Sequence, residues 1–351
     1  MTEYVVALGL FRDNPVTIVD VGARWGYNPE WSVFGESLKI YCFEPDEAEC
    51  ARLNAAADPN VTYIPVALGK AGGEAAFYET RLGASSGLYK TNMDYFSRLL
   101  NRDNGEIVRE HKIRVTTLEE ALKLHTVRSI DFIKLDVEGA ELDILLGAKP
   151  FIGGNDLLGI LSEIRFQEEI NGSPVFSEFD AHVRKFGFRL FGMQFSQQSR
   201  RALPYPGLGD YRLPTGEKFF AYTTHGQIMD GDALYFRDLL LPANTAIRAA
   251  ADPVQILKAA AFFELYCLND CAAELVLAHR TILSDRVNCD VLLDLLSPPL
   301  RRKHVGYKAY MQAYFDPNSS VVDAPPLTPK DIVRRLIPPR VRLLLRKLLG
   351  R

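Results

Sequence analysis

The chain has 351 residues, enough to bury a large core and to form roughly two domains. Its 41 basic and 44 acidic side chains leave a net charge of −3, which excludes a broad basic surface for nucleic acid, and its ordinary globular composition excludes a disordered chain. No apolar run of 18 residues is present to span a membrane, Met1 to Leu10 lacks the pattern of a signal peptide, and five scattered cysteines make no disulfide framework, so a cytoplasmic protein is expected.

Taken in chain order, apolar runs at Val16 to Val21, Leu38 to Phe43, Val61 to Val66, Ile130 to Leu135 and Leu157 to Ile164 read as strands. They alternate with helical patterns at Pro45 to Ala57 and Ala140 to Leu146, which predicts a doubly wound, mostly parallel α/β sheet. The runs are apolar at nearly every position, as expected for strands covered by helices on both faces. Glu74 to Glu79 and Ile113 to Thr117 read as extra strands around a polar inserted loop, placed where a substrate could be gripped. Phe186 to Phe191 and Lys218 to Thr223 are the candidates for the last strands, which ends the sheet near Thr224. Helical periodicity follows at Ile256 to Leu268, Ala272 to Leu283 and Val291 to Leu296. The expected domains are thus an α/β domain at 1–225, a helical subdomain at 226–315, a Pro-containing linker at 316–330 and a basic amphipathic tail at 331–351.

Three strand ends carry the chemistry. Ile18-Val19-Asp20-Val21-Gly22-Ala23-Arg24-Trp25-Gly26 runs an apolar strand into a glycine-containing turn. Gly22 and Gly26 let a ligand approach the backbone, and Asp20 can orient the turn or accept from a cationic amino group, a job poorly suited to binding pyrophosphate. The turn also serves equally as an ordinary strand-to-helix connection using glycine for φ > 0. Ile40 to Pro45 ends the next strand on Glu44, whose carboxylate can accept both hydroxyls of a ribose; the alternative is that Glu44 or Asp46 caps the following helix. Ile130 to Glu141 then delivers Asp136 and Glu138 to the same edge of the sheet, the edge where ligands bind in such folds, unless Asp136 merely caps the helix from Ala140.

The order and spacing of Asp20-Val-Gly-Ala-x-x-Gly26, Phe43-Glu44-Pro45, Ala67-Leu68-Gly69, Val115-Thr-Thr-Leu118, Ile133-Lys-Leu-Asp-Val-Glu-Gly-Ala-Glu141 and Leu161-Ser-Glu-Ile164 resemble the FkbM family of S-adenosylmethionine-dependent methyltransferases over residues 15–190. The resemblance implies a class I, Rossmann-like methyltransferase fold and methyl transfer to a hydroxyl oxygen of a sugar, glycan, lipid-linked sugar or related polyhydroxylated metabolite. It also implies that Asp20, Gly22, Ala23 and Gly26 line the methionine end of the cofactor, with Asp136 beside them. By the same likeness Glu44, next to Pro45, holds the ribose, and Val66 and Ala67 flank the adenine. Arg24-Trp25 departs from the family pattern, in which smaller or polar residues are more usual.

A sulfonium methyl needs no electrophilic activation, only an in-line nucleophile roughly 3 to 3.5 Å away. The acceptor hydroxyl needs a base, and the candidates are Asp136, Glu138 and Glu163. Scattered carboxylates are weak grounds for a metal, so none is expected. Ser85 and Ser86, in a Gly-Ala-Ser-Ser-Gly segment without the strand-to-helix context of a hydrolase elbow, are assigned with His111 to a substrate loop. Cys267 and Cys271 lack the spacing of a metal site and read as buried thiols.

The partner expected is a small-molecule or glycan acceptor and not a nucleic acid. The tail at 331–351 carries a net of +6 against −9 for the rest, and its basic amphipathic pattern can lie on the inner face of a membrane or dock on a second copy of the chain. The rival reading is a non-catalytic scaffold that keeps the cofactor fold and acts through its helical region and tail.

Overall fold

The computed structural model describes residues 1–316, apart from Ala57, 208–210, 213–217, 220, 221, 224, 301 and 302; the linker beyond Asp316 and the basic tail lie outside the described residues. Contacts divide the chain into two compact units: 18–27 with 40–236, and 1–17 with 28–39 and the described residues from 237 onward.

The first unit is built on strands β1 (Val16–Val21), β2 (Leu38–Phe43), β3 (Val61–Ile64), β4 (Phe132–Leu135), β5 (Gly159–Arg165), β6 (Phe188–Gln198) and β7 (Gln227–Arg237). They form one sheet in the order β3-β2-β1-β4-β5-β7-β6. The pairs β2/β3, β1/β4 and β4/β5 are parallel, and β7 runs antiparallel to β5. The nearly unbroken apolar runs of β1, β4 and β5 are explained by burial on both faces: Val19, Val21, Ile133, Leu135, Ile160 and Ile164 share one continuous core with Leu118, Ile144, Phe179 and Tyr235. Fully burying such side chains contributes about 1.5 to 3 kcal/mol each.

Two sequence expectations are corrected here. The sheet does not end near Thr224, because its seventh strand lies beyond that point at Gln227–Arg237, and Lys218–Phe219 instead makes a short antiparallel pair with Tyr211–Arg212. Strand β7 carries Asp230 and Asp232 inside an otherwise apolar run, and these buried charges hide it from a search by hydropathy.

Between β3 and β4 the chain makes a second, three-stranded sheet, with Ile107–Thr116 between Ala67–Leu68 and Gly73–Thr80. The loop inside this insertion runs along the carboxyl edge of the main sheet. Asn92 N donates to Glu169 O at 2.8 Å, Asn171 N to Lys90 O at 2.9 Å and Leu100 N to Ser199 O at 3.0 Å.

In the second unit the sequence places helices only after the sheet, yet Met1–Thr17 and Asn28–Lys39 belong to it too. The amino group of Met1 pairs with Glu264 at 2.6 Å, Lys258 Nζ donates to Asn14 Oδ1 and Pro15 O at 2.9 Å each, and Phe34 packs against Phe262 with ring centroids 5.5 Å apart. The helices Pro253–Leu265, Asn269–Ala278, Arg280–Leu283 and Cys289–Leu296 match the predicted periodicity with shifted ends. Cys267 is exposed and Cys271 half-buried, contrary to the expectation for both, because Cys267 takes a left-handed conformation (φ 63°) in the turn that ends the first of these helices. No helix among the described residues is long and apolar enough to cross a membrane.

Candidate active site

All three chemistry-bearing strand ends meet at the carboxyl edge of the parallel strands. After β1 the chain turns through Gly22 (φ 84°) and Gly26 (φ 90°), with the N–H groups of Gly22 and Ala23 donating to Phe43 O at 2.9 and 3.2 Å. A Cβ on Gly22 would stand 1.8 Å from the carbonyl oxygen of Asp136, so this turn and the loop after β4 touch backbone to backbone. Asp20 is buried and accepts from Lys134 Nζ at 3.1 Å, and the same ammonium lies 3.4 Å from Asp136 Oδ2. Burial pushes the Asp20 carboxyl up from its ordinary value, and Lys134 opposes that rise.

At the end of β2, Asp46 caps the helix Glu47–Asn54 by accepting from Glu49 N at 3.0 Å, while Glu44 does not cap it. Glu44 is buried, accepts from Asp46 N at 3.0 Å and has an Arg24 guanidinium nitrogen 3.8 Å away. Desolvation raises its carboxyl above the ordinary value against the pull of those partners. Val66 and Ala67 follow β3, with Val66 N donating to Ile64 O at 2.9 Å.

The loop after β4 is the most constrained segment of the site. Glu138 sits in the left-handed region at φ 61° and Gly139 at φ 110°, a conformation that costs about 1 to 3 kcal/mol for a residue such as Glu. The Glu141 carboxylate holds it, accepting from Val137 N at 3.0 Å and from Gly139 N at 3.2 and 3.0 Å. The helix that follows begins at Ala140 without a side-chain cap, so the capping role considered for Asp136 is not the one this structure shows.

Oxygens of Asp136, Glu138 and Glu163 lie within 4.8 Å of one another. The cation between the two glutamates is Arg165, two residues beyond Glu163 on the same face of β5. Its Nη2 donates to Glu138 Oε2 at 2.6 Å and to Glu163 Oε2 at 2.9 Å, and its Nη1 to Glu169 Oε1 at 3.1 Å. Asp230 stands opposite Arg165 in the β5/β7 register. Burial pushes the Glu138 and Glu169 carboxyls up to about 7 and those of Glu163 and Asp230 upward as well; Arg165 opposes each rise. Burial works against the charge of Arg165 itself, but the carboxylates around it hold its proton more tightly than usual.

The inserted loop closes on this set: a Cβ on Gly87 would lie 3.1 Å from Val137 O and 3.2 Å from the Glu138 Cβ. Ser85 belongs to the short turn Gly83–Ser85, and Ser86 Oγ accepts from Thr80 N at 3.0 Å. His111 is set apart from these serines, opposite Phe77 in the inserted sheet and 3.5 Å from Glu79.

Sequence reasoning missed Lys134, Glu141, Arg165, Glu169 and Asp230. The spacing of Glu163 and Arg165, which puts both on one face of a strand, and the return of an acid three residues after Glu138 were the available signals.

A family model described as the methyltransferase FkbM domain matches residues 20–190. The chain carries an FkbM methyltransferase domain. That makes the protein an S-adenosylmethionine-dependent methyltransferase with a Rossmann-like class I fold. No curated protein matches the chain. Among solved structures it is similar to magnesium protoporphyrin IX methyltransferase (ChlM) from Synechocystis PCC 6803 with bound SAM, at 9% identity over 67% of this chain and 77% of that one, with a TM-score of 0.29. It is similar also to TehB from Haemophilus influenzae, at 12% identity over 67% and 62%, with a TM-score of 0.31. With scores of this size the strand order, and not these chains, carries the fold assignment of the FkbM methyltransferase domain.

Proposed function

We propose that the protein transfers the methyl group of S-adenosylmethionine to a hydroxyl of a sugar, glycan, lipid-linked sugar or related polyhydroxylated metabolite. The observation that carries the reading is the convergence of Asp136, Glu138 and Glu163 within 4.8 Å at the edge where the glycine turn and Glu44 also lie. An alcohol must lose its proton as its oxygen takes the methyl group, and buried carboxyls whose proton affinity is raised toward neutrality are suited to receive it.

The residues present fit the cofactor. The left-handed turn at Gly22 and Gly26 leaves backbone open to a large ligand, and Asp20, Gly22, Ala23 and Gly26 would line its methionine end. Glu44, with Pro45 fixing the chain behind it, would accept the ribose hydroxyls; Val66 and Ala67 would flank the adenine. Bound S-adenosylmethionine supplies an electrophilic methyl group, and positioning an acceptor in line with it is most of the remaining work. Asp136 would border both ligands, Glu138 and Glu163 would take the proton, and the loop with Ser85 and Ser86 would cover the acceptor. His111, on the inserted sheet, would contribute to that cover from farther out.

The test is a screen of neutral sugars, glycosides and polyols with the purified chain and S-adenosylmethionine. It reads S-adenosylhomocysteine release and, by mass spectrometry, the position of the new methyl group. Oxygen-linked methylation of a polyol supports the reading; transfer only to nitrogen or carbon acceptors refutes it.

A further inference from the structure

Glu138, Glu163, Glu169 and Asp230 surround a single buried guanidinium, and each of the four is at most 8% exposed. With every carboxyl ionised, three negative charges would stand uncompensated out of water, which is far more costly than holding a proton. The neighbouring groups do not supply the missing charge. Glu141 is engaged with backbone N–H groups, Asp232 pairs in register with Glu163 and adds another acid, and the Tyr222 hydroxyl is held neutral by burial beside Asp230. The Lys134 ammonium is shared by Asp20 and Asp136. Among the described residues, Oε2 of Glu169 and Nε of Arg165 are buried without a hydrogen-bond partner, as expected where the arrangement is completed by a proton or a ligand.

We propose that the carboxylates around Arg165 hold protons that the positively charged cofactor expels when it binds, so that they become proton acceptors only with the methyl donor in place. This rests on the cofactor reading above. The link between the two places is structural: the glycine turn abuts Asp136 backbone to backbone, and Asp136 reaches Glu138 and Glu163 within 4.8 Å. The rise of the Glu138 and Glu169 carboxyls to about 7 places the exchange near neutral pH.

The charges then balance through a turnover. An acceptor oxygen forms the new C–O bond with its own electron pair, the S–C pair stays on sulfur, and one positive charge disappears beside the cluster. Its carboxylates regain proton affinity at the moment the acceptor's O–H proton has to go somewhere. The proton taken up equals the proton expelled on binding, so the cluster returns to its starting state when the neutral product leaves.

S-adenosylhomocysteine lacks only the methyl group and the positive charge on sulfur, so it isolates the effect. Calorimetric titration of the full chain at pH 7, in buffers of low and high ionisation enthalpy, counts the protons released with each ligand. S-adenosylmethionine is expected to release about half a proton more than S-adenosylhomocysteine, since a carboxyl titrating near 7 is half-protonated there. Glu169→Gln, and independently Glu138→Gln, should reduce that excess by half or more. Equal proton counts for the two ligands overturn the proposal while leaving cofactor binding intact, as does an excess unchanged in both variants. Failure of the folded protein to bind either ligand overturns the cofactor reading and this proposal with it.

Discussion

Replacing Glu169 by Gln keeps the shape of a protonated carboxyl and removes its ability to ionise. Glu169 is 2% exposed, accepts from Arg165 Nη1 through Oε1, and leaves Oε2 buried without a partner among the described residues. Its carboxyl is raised from 4.5 to about 7, by burial first, with Arg165 opposing and Asp230 adding to the rise. Below pH 4.5 the folded and unfolded chains both hold this proton, and the group's full contribution to stability is present. Between 4.5 and 7 the unfolded chain ionises while the folded chain keeps the proton, so stability falls as pH rises; above 7 the loss is complete. A rise of that size corresponds to about 3 kcal/mol. The amide in Glu169→Gln does not titrate, and its oxygen still accepts from Arg165. Urea unfolding at pH 5 and pH 8 should therefore show the variant gaining on the wild type by about 2 to 3 kcal/mol over that interval. An equal difference at both pH values would show that Glu169 is ionised throughout, and the account of the cluster would fail.

Glu44→Ala should weaken S-adenosylmethionine binding by about 10- to 100-fold in calorimetric titration, the effect of losing hydrogen bonds to a charged group; a dissociation constant within twofold of wild type would remove Glu44 from the ribose site. Gly22→Ala forces a Cβ to 1.8 Å from the Asp136 carbonyl oxygen at φ 84°, and should cost more than about 2 kcal/mol of stability in urea unfolding; a loss under about 0.5 kcal/mol would show that the contact relaxes cheaply. Arg165→Met leaves the carboxylates without their cation and should destabilise by about 3 to 5 kcal/mol at pH 8. At pH 5, where the carboxyls are protonated, the loss should be smaller, and a loss independent of pH would contradict the charge balance described for the site.

The first five strands of the sheet were legible because each is apolar on both faces and ends on a glycine, an acid or both. Val16–Val21 and Leu38–Phe43 agree residue for residue. Strand β7 escaped because its Asp230 and Asp232 are buried next to Arg165 and Glu163, so its alternation reflects a polar layer inside the protein and not a solvent face. The same layer explains what was missed in the site. Asp136, Glu138 and Glu163 could be found from strand ends, but a partner such as Glu169 or Asp230 is recruited by tertiary contact from a loop or an antiparallel strand, and periodicity carries no mark of that. The N-terminal segments of the helical unit were hidden for a related reason: Met1 and Asn14 are tied to Glu264 and Lys258, more than 240 positions away.

These missed residues change how the acidic edge is understood. Three carboxylates within 4.8 Å would suit a divalent ion if Glu138 and Glu163 shared no other cation, but the guanidinium of Arg165 already spans both. A planar, permanently charged donor fixes the two carboxylates by direct hydrogen bonds and supplies one positive charge where an ion would supply two. The remaining deficit is what raises the proton affinity of Glu138, Glu163 and Glu169. Because the left-handed backbone at Glu138 is clasped by Glu141, the first of these cannot swing out to water to relieve it. The strain at Glu138 and the shortage of positive charge therefore act together, keeping a carboxyl with near-neutral proton affinity in a fixed position beside the glycine turn.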